Sequence, residues 1–140
     1  MSFSRDVFDF VDKTKAKADK RVRATCLQIT ADAVNGTPVD KGRLQGNWQS
    51  GINSVPSGVL EGSDKSGGRA IASAQPDIRQ APGNIYKLAN NLPYAVVVEF
   101  GQFGNPAGSA NSPKTVNGFS RQAPAGMARL AVQRAKESLR

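Results

Sequence analysis

From Phe3 onward, apolar or small side chains recur at every third or fourth position: Phe3, Val7, Val11, Thr14, Ala18, Val22, Cys26, Ile29 and Ala33. That spacing is the stripe of an amphipathic helix. Asp6, Asp9 and Asp12 fall near its start, where the helix dipole favours acids, and Ser2 or Ser4 can cap it. Asn35-Gly36 followed by Thr37-Pro38 ends it: the glycine predicts a left-handed C-cap, and the proline cannot continue the helix. An unbroken helix over residues 4–34 is about 45 Å long. A compact domain of 140 residues has a radius of gyration of only about 14 Å. The helix must therefore overhang, bend or break, and the favoured break is 12–21, where the stripe thins to Thr14 and Ala18.

The same stretch is crowded with cations. Lys13, Lys15, Lys17, Lys20 and Arg21, with Arg23 beyond them, belong to a chain of 19 Lys+Arg against 11 Asp+Glu, a net charge of +8. Such a surface has two readings, a solvated helix face or a contact for duplex DNA or an acidic neighbour. No aromatic residue is interleaved among these lysines, which disfavours stacking on single strands.

Length argues for one domain over residues 1–140, large enough to bury roughly two-thirds of its unfolded surface. Histidine is absent and Cys26 is the single cysteine, so the commonest general base and the usual transition-metal ligand sets are missing. The glycines after Gly101 are not followed by Gly-Lys-Ser/Thr, so they form no phosphate loop. These features predict a non-enzymatic protein without cofactor or metal. Cys26 reads as a small buried hydrophobe in a chain made for a reducing compartment. The opening residues lack a signal-peptide apolar run, and no stretch approaches the roughly 18 apolar residues of a membrane span, so no membrane partner is expected.

Beyond the first helix the chain reads as mixed α+β. Pro38 and Gly42 punctuate a tight connection in which Asp40 and Arg43 form a structural turn pair, and Leu44, Trp48 and Ile52 then recur at even spacing along a strand near 43–54. Trp48 reads as a core or sheet-packing residue, with an interface anchor as the alternative. Residues 56–68 read as a loop or short edge strand, and 67–75 as a short helix limited by Pro76 or Pro82. Residues 84–89 alternate apolar and polar. After the turn pair Asn90-Asn91, the β-branched and aromatic run Tyr94-Ala95-Val96-Val97-Val98-Glu99-Phe100 alternates as well. An antiparallel hairpin of strands near 84–89 and 94–100 is expected, with Glu99 at a wet end or paired with a cation. Residues 102–121, rich in Gly, Pro, Ser and Asn, read as a flexible arm that either orders against a neighbouring subunit or stays disordered. A C-terminal amphipathic helix over 127–140 should pack on the sheet.

Three blocks, in this order, resemble one family. They are Thr37-Pro38-Val39-Asp40-Lys41-Gly42-Arg43-Leu44 followed by Trp48; Asn90-Asn91-Leu92-Pro93-Tyr94-Ala95 running to Glu99-Phe100-Gly101; and Gln122-Ala123-Pro124-Ala125-Gly126-Met127. Together they are similar to the neck and tail-completion proteins of long-tailed double-stranded DNA bacteriophages. The chain departs from that pattern at Lys41, where a small hydroxyl residue is common, and in the length of the link at 102–121. The resemblance implies a structural protein of the head-to-tail joint in the virion, assembled in the host cytoplasm. It would form or join a ring, hexameric by expectation, between the capsid connector or head-closure proteins and the tail tube or its terminator, with packaged DNA passing nearby. The alternatives are a tail terminator and a basic DNA-binding accessory protein.

Overall fold

The structure, a computed structural model, describes residues 2–140. Its elements are α1 (Phe3–Asn35), α2 (Arg43–Gly46), β1 (Trp48–Ile52), α3 (Gly68–Arg79), β2 (Tyr86–Asn90), α4 (Ala95–Phe100), β3 (Thr115–Val116), β4 (Phe119–Ser120) and α5 (Ala128–Ser138). The α+β class stands: a long first helix, small antiparallel pairings and a last helix packed against α1.

α1 runs unbroken through 12–21, so the expected break does not occur; Ala16, Ala18 and the lysines are all good helix formers. The helix overhangs instead. Residues 3–18 are exposed, and burial sets in on one face only from Thr25, leading to Thr30, Ala33 and Val34. Ser2 is the N-cap, accepting the Arg5 amide at 3.3 Å. Gly36 ends the helix in the right-handed region (φ −81°), not in the expected left-handed cap, because its amide still reaches Asp32 and Val34.

The sheet differs from the expected one. β1 pairs with β2 antiparallel, Trp48 opposite Asn90 and Ile52 opposite Tyr86, and α3 lies between them in sequence. The predicted strand at 43–54 begins later because Arg43–Gly46 turn helically first. The run 94–100 is no strand but α4: Ala95, Val98 and Glu99 are buried while Tyr94, Val96 and Phe100 are largely exposed. Burial at i, i+3 and i+4 is the helical period, and a short apolar run has no length to distinguish the two by alternation. Asn90 and Asn91 are consequently not a hairpin turn. Their side-chain amides donate instead to the Leu44 carbonyl and to those of Pro56 and Gly58.

α3 passes through Pro76 to Arg79, well short of Pro82. Its N-terminus is held by Asp64, whose carboxylate accepts the amides of Gly67, Arg69 and Ala70. Nothing periodic in the sequence around Asp64 marks it for this role. Residues 56–64 are indeed irregular.

The core is small and alanine-rich. Ala33 and Val34 of α1, Ala70 of α3 and Ala131 of α5 pack with Leu44, Trp48, Leu92, Val98 and Met127. Alanines at these contacts let the helix backbones approach closely. In the segment 102–121, Phe103 packs on this core, and β3 and β4 close over Asn117-Gly118, both at positive φ. Asn-Gly is the two-residue hairpin signal.

Candidate assembly interface

The three sequence blocks, scattered from residue 37 to residue 127, meet in space. Trp48 is buried and its indole Nε1 donates to Thr37 Oγ1 at 2.7 Å, while Thr37 in turn donates to the Ala33 carbonyl. The first block is tied to the third by Gln122, whose side chain accepts the Val39 amide at 2.8 Å and donates to the Val39 carbonyl at 3.2 Å. Asn90 fastens the second block to Leu44 of the first. The expected Asp40–Arg43 pair is not formed. Among the described residues the one ion pair is Glu99–Arg129, and both Asp40 and Arg43 are exposed.

Glu99 joins the second block to the third. Its Oε2 accepts the amides of Met127 and Ala128 at 2.8 Å each, and its Oε1 accepts the Arg129 amide at 3.0 Å. These are the orphan donors of the α5 N-terminus, where a carboxylate is also favoured by the dipole. Arg129 completes the arrangement: Nε donates to Oε1 at 3.0 Å, and the guanidinium lies 4.5 Å from the Phe100 ring centroid. Burial pushes the Glu99 carboxyl up, but the three amides and the guanidinium outweigh it and hold its pKa below the ordinary value. The cation expected for Glu99 is present; Arg129 was not named from sequence. The signal for it was there: an Arg in the first turn of a helix opposes the dipole unless an acid answers it.

Two glycines permit this join. Gly126 (φ +88°) precedes α5, and a Cβ there would lie 2.7 Å from the Glu99 carbonyl oxygen. Gly101 (φ +65°) caps α4, with the Phe119 ring filling the place of a side chain. Pro93 leads into α4, with Tyr94 at its N-cap. Ala123 is buried, and Pro124 lies in the turn before Gly126.

Beside the joined blocks lies an open groove of about 630 Å³. Leu44, Tyr94, Val98 and Phe103 give it apolar walls, and Lys41, Arg43, Lys114 and Arg121 with Asp40 give it a positive rim. A second groove of about 500 Å³ runs between α1 and α5, lined by Val22, Cys26, Ile29, Leu88 and Val132. Cys26 is half-buried there rather than sealed in the core, and burial raises its thiol pKa.

The basic candidates Lys13, Lys15, Lys17, Lys20 and Arg21 all lie exposed on the overhanging part of α1; Arg23 is also exposed but donates to the Arg79 carbonyl at 3.2 Å. The same overhang exposes Phe3 (82%), Phe8 (69%) and Phe10 (70%). Among the described residues no three His, Cys, Asp or Glu side chains gather as metal ligands, and no helix is long and apolar enough to cross a membrane. Around the joined blocks the rimmed groove and the apolar overhang are thus the features open to solvent. No protein family, curated protein or solved structure compared with the chain matches it.

Proposed function

We propose that this protein is a non-enzymatic structural component of the phage head–tail junction, forming or joining a ring between the capsid connector and the tail tube in the virion. The observation that carries the reading is the unpartnered first half of α1. A helix projecting about 24 Å from its domain, with three phenylalanines in solvent, needs a neighbouring surface to cover them. The resemblance of the three blocks supplies the identity of the assembly. Their mutual ties, through Glu99, Gln122 and Asn90, support reading them as one unit that sets the shape of the joint-facing domain.

The test is to image assembled particles carrying this subunit with a dense label at its C-terminus. Label at the neck, repeated around the tail axis, supports the proposal; label elsewhere, or particles of full infectivity and normal joining without the subunit, overturns it.

A second reading, a basic DNA-binding accessory protein, is favoured by the exposed Lys13–Arg23 stretch. Its signature is an affinity for duplex that falls steeply as salt rises, through counterion release. An affinity indifferent to salt eliminates it.

A further inference from the structure

We infer that the N-terminal tip of α1 docks in the basic-rimmed groove of a second copy of the chain, making a head-to-tail contact. The inference rests on the ring reading above and names the surfaces that would build the ring.

Phe3, Val7, Phe10 and Val11 sit at i, i+4, i+7 and i+8, one apolar face of a helix, and all four are exposed. Over residues 3–12 stand Asp6, Asp9 and Asp12 against the single cation Arg5, with Asp6 flanking that apolar face and Asp9 and Asp12 on the far side of the helix. The tip is thus apolar and acidic. The groove is its complement: Leu44, Tyr94, Val98 and Phe103 are apolar, and four cations face one acid on its rim. An amphipathic helix laid in an apolar groove is a recurrent mode of recognition, Asp6 flanks the apolar face where a rim cation can meet it, and the opposite net charges of tip and groove speed encounter.

The occupant cannot be the chain's own tip. Phe10 and Asn35 are separated by about 38 Å of unbroken helix, and the groove begins just past that far end, at Pro38. Tip and groove therefore lie at opposite ends of α1, so their contact is heterologous and propagates from copy to copy, into a ring where its rotation closes. The groove between α1 and α5 is a poorer match, since no charged residue lines it to answer the acids.

The experiment uses the full chain and two variants altered only at exposed positions, Phe3→Ser/Phe10→Ser in the tip and Lys114→Glu/Arg121→Glu on the rim. Thermal unfolding verifies that both fold like the parent, and sedimentation reads assembly. The parent is expected to form species larger than a dimer as concentration rises, and each variant alone to stay monomeric. Mixed, the variants should give a complex of two chains and nothing larger, because the tip variant keeps a groove and the rim variant keeps a tip. A parent monomeric at its solubility limit, a variant that assembles like the parent, or variants that fail to combine each overturns the contact. None of those results touches the neck reading, which the particle image decides separately.

Discussion

Glu99 and Arg129 grip each other twice: the guanidinium Nε donates to the Glu99 carboxylate at 3.0 Å, and a terminal guanidinium nitrogen donates to the Glu99 main-chain carbonyl at 2.6 Å. Both ends of the contact are charge-assisted, and the carboxylate simultaneously caps α5. Because Arg129 is largely exposed and Glu99 is not, the two partners should not be equally costly to lose.

Glu99→Gln is expected to destabilise the domain by about 1–3 kcal/mol, since a neutral amide accepts less strongly from three amides and turns a donor toward some of them. Arg129→Ala should cost less, about 1 kcal/mol or under, as water screens an exposed partner. Urea unfolding of both variants checks the order. A larger loss for Arg129 would mean that the Phe100 contact, not the cap, dominates.

Acid should weaken the domain through the same carboxyl. Its folded pKa lies below the ordinary 4.5, so its contribution is fully present above that value and is lost as pH falls through the lower, folded one. Stability measured downward from pH 6 should fall below about pH 5. The fall should be shallower in Glu99→Gln, and identical slopes in the two proteins would count against the depressed pKa.

Trp48→Ala is expected to destabilise the monomer by roughly 3 kcal/mol or more, because it empties a buried site. Thr37→Val, nearly the same shape, should cost about 1–3 kcal/mol by stranding the buried indole donor. A Trp48 variant with unchanged melting temperature but lost assembly would make it an interface anchor instead.

Gly101→Ala should cost at least about 1–2 kcal/mol for the left-handed conformation alone. The new methyl would also meet the Phe119 ring, which must then leave. A near-ultraviolet circular dichroism spectrum like the parent's would show that the ring had not moved.

Replacing Lys13, Lys15, Lys17 and Lys20 together by Gln keeps helix propensity nearly constant, so the melting temperature should barely change. Association driven by charge should slow and lose part of its salt dependence. On the neck reading proposed above, joining kinetics and particle yield equal to the parent's at low salt would leave these lysines as a solvated face.

The amino-acid sequence by itself determined the long first helix, the last helix, the α+β class and the burial of Trp48. In each of the helices the apolar spacing extends over three or more turns, and local periodicity is then strong enough to specify the element. It also required α1 to overhang, bend or break, because no 140-residue globule covers such a helix. The nature of 94–100 was decided only by tertiary structure. Seven residues hold barely two turns, and the β preference of three valines costs well under 1 kcal/mol each in a helix. Burial of Ala95, Val98 and Glu99, with Glu99 capping a helix 28 residues further on, outweighs that preference. The partner of β2 was likewise undecidable locally: 84–89 alternates equally well for either neighbour, and only the packing of β1 on α3 presents it as the partner. The groove and its rim exist because residues 38–44 and 113–122, far apart in the chain, are drawn together by the Gln122–Val39 hydrogen bonds. Such long-range pairings leave no periodic trace in the residues that make them.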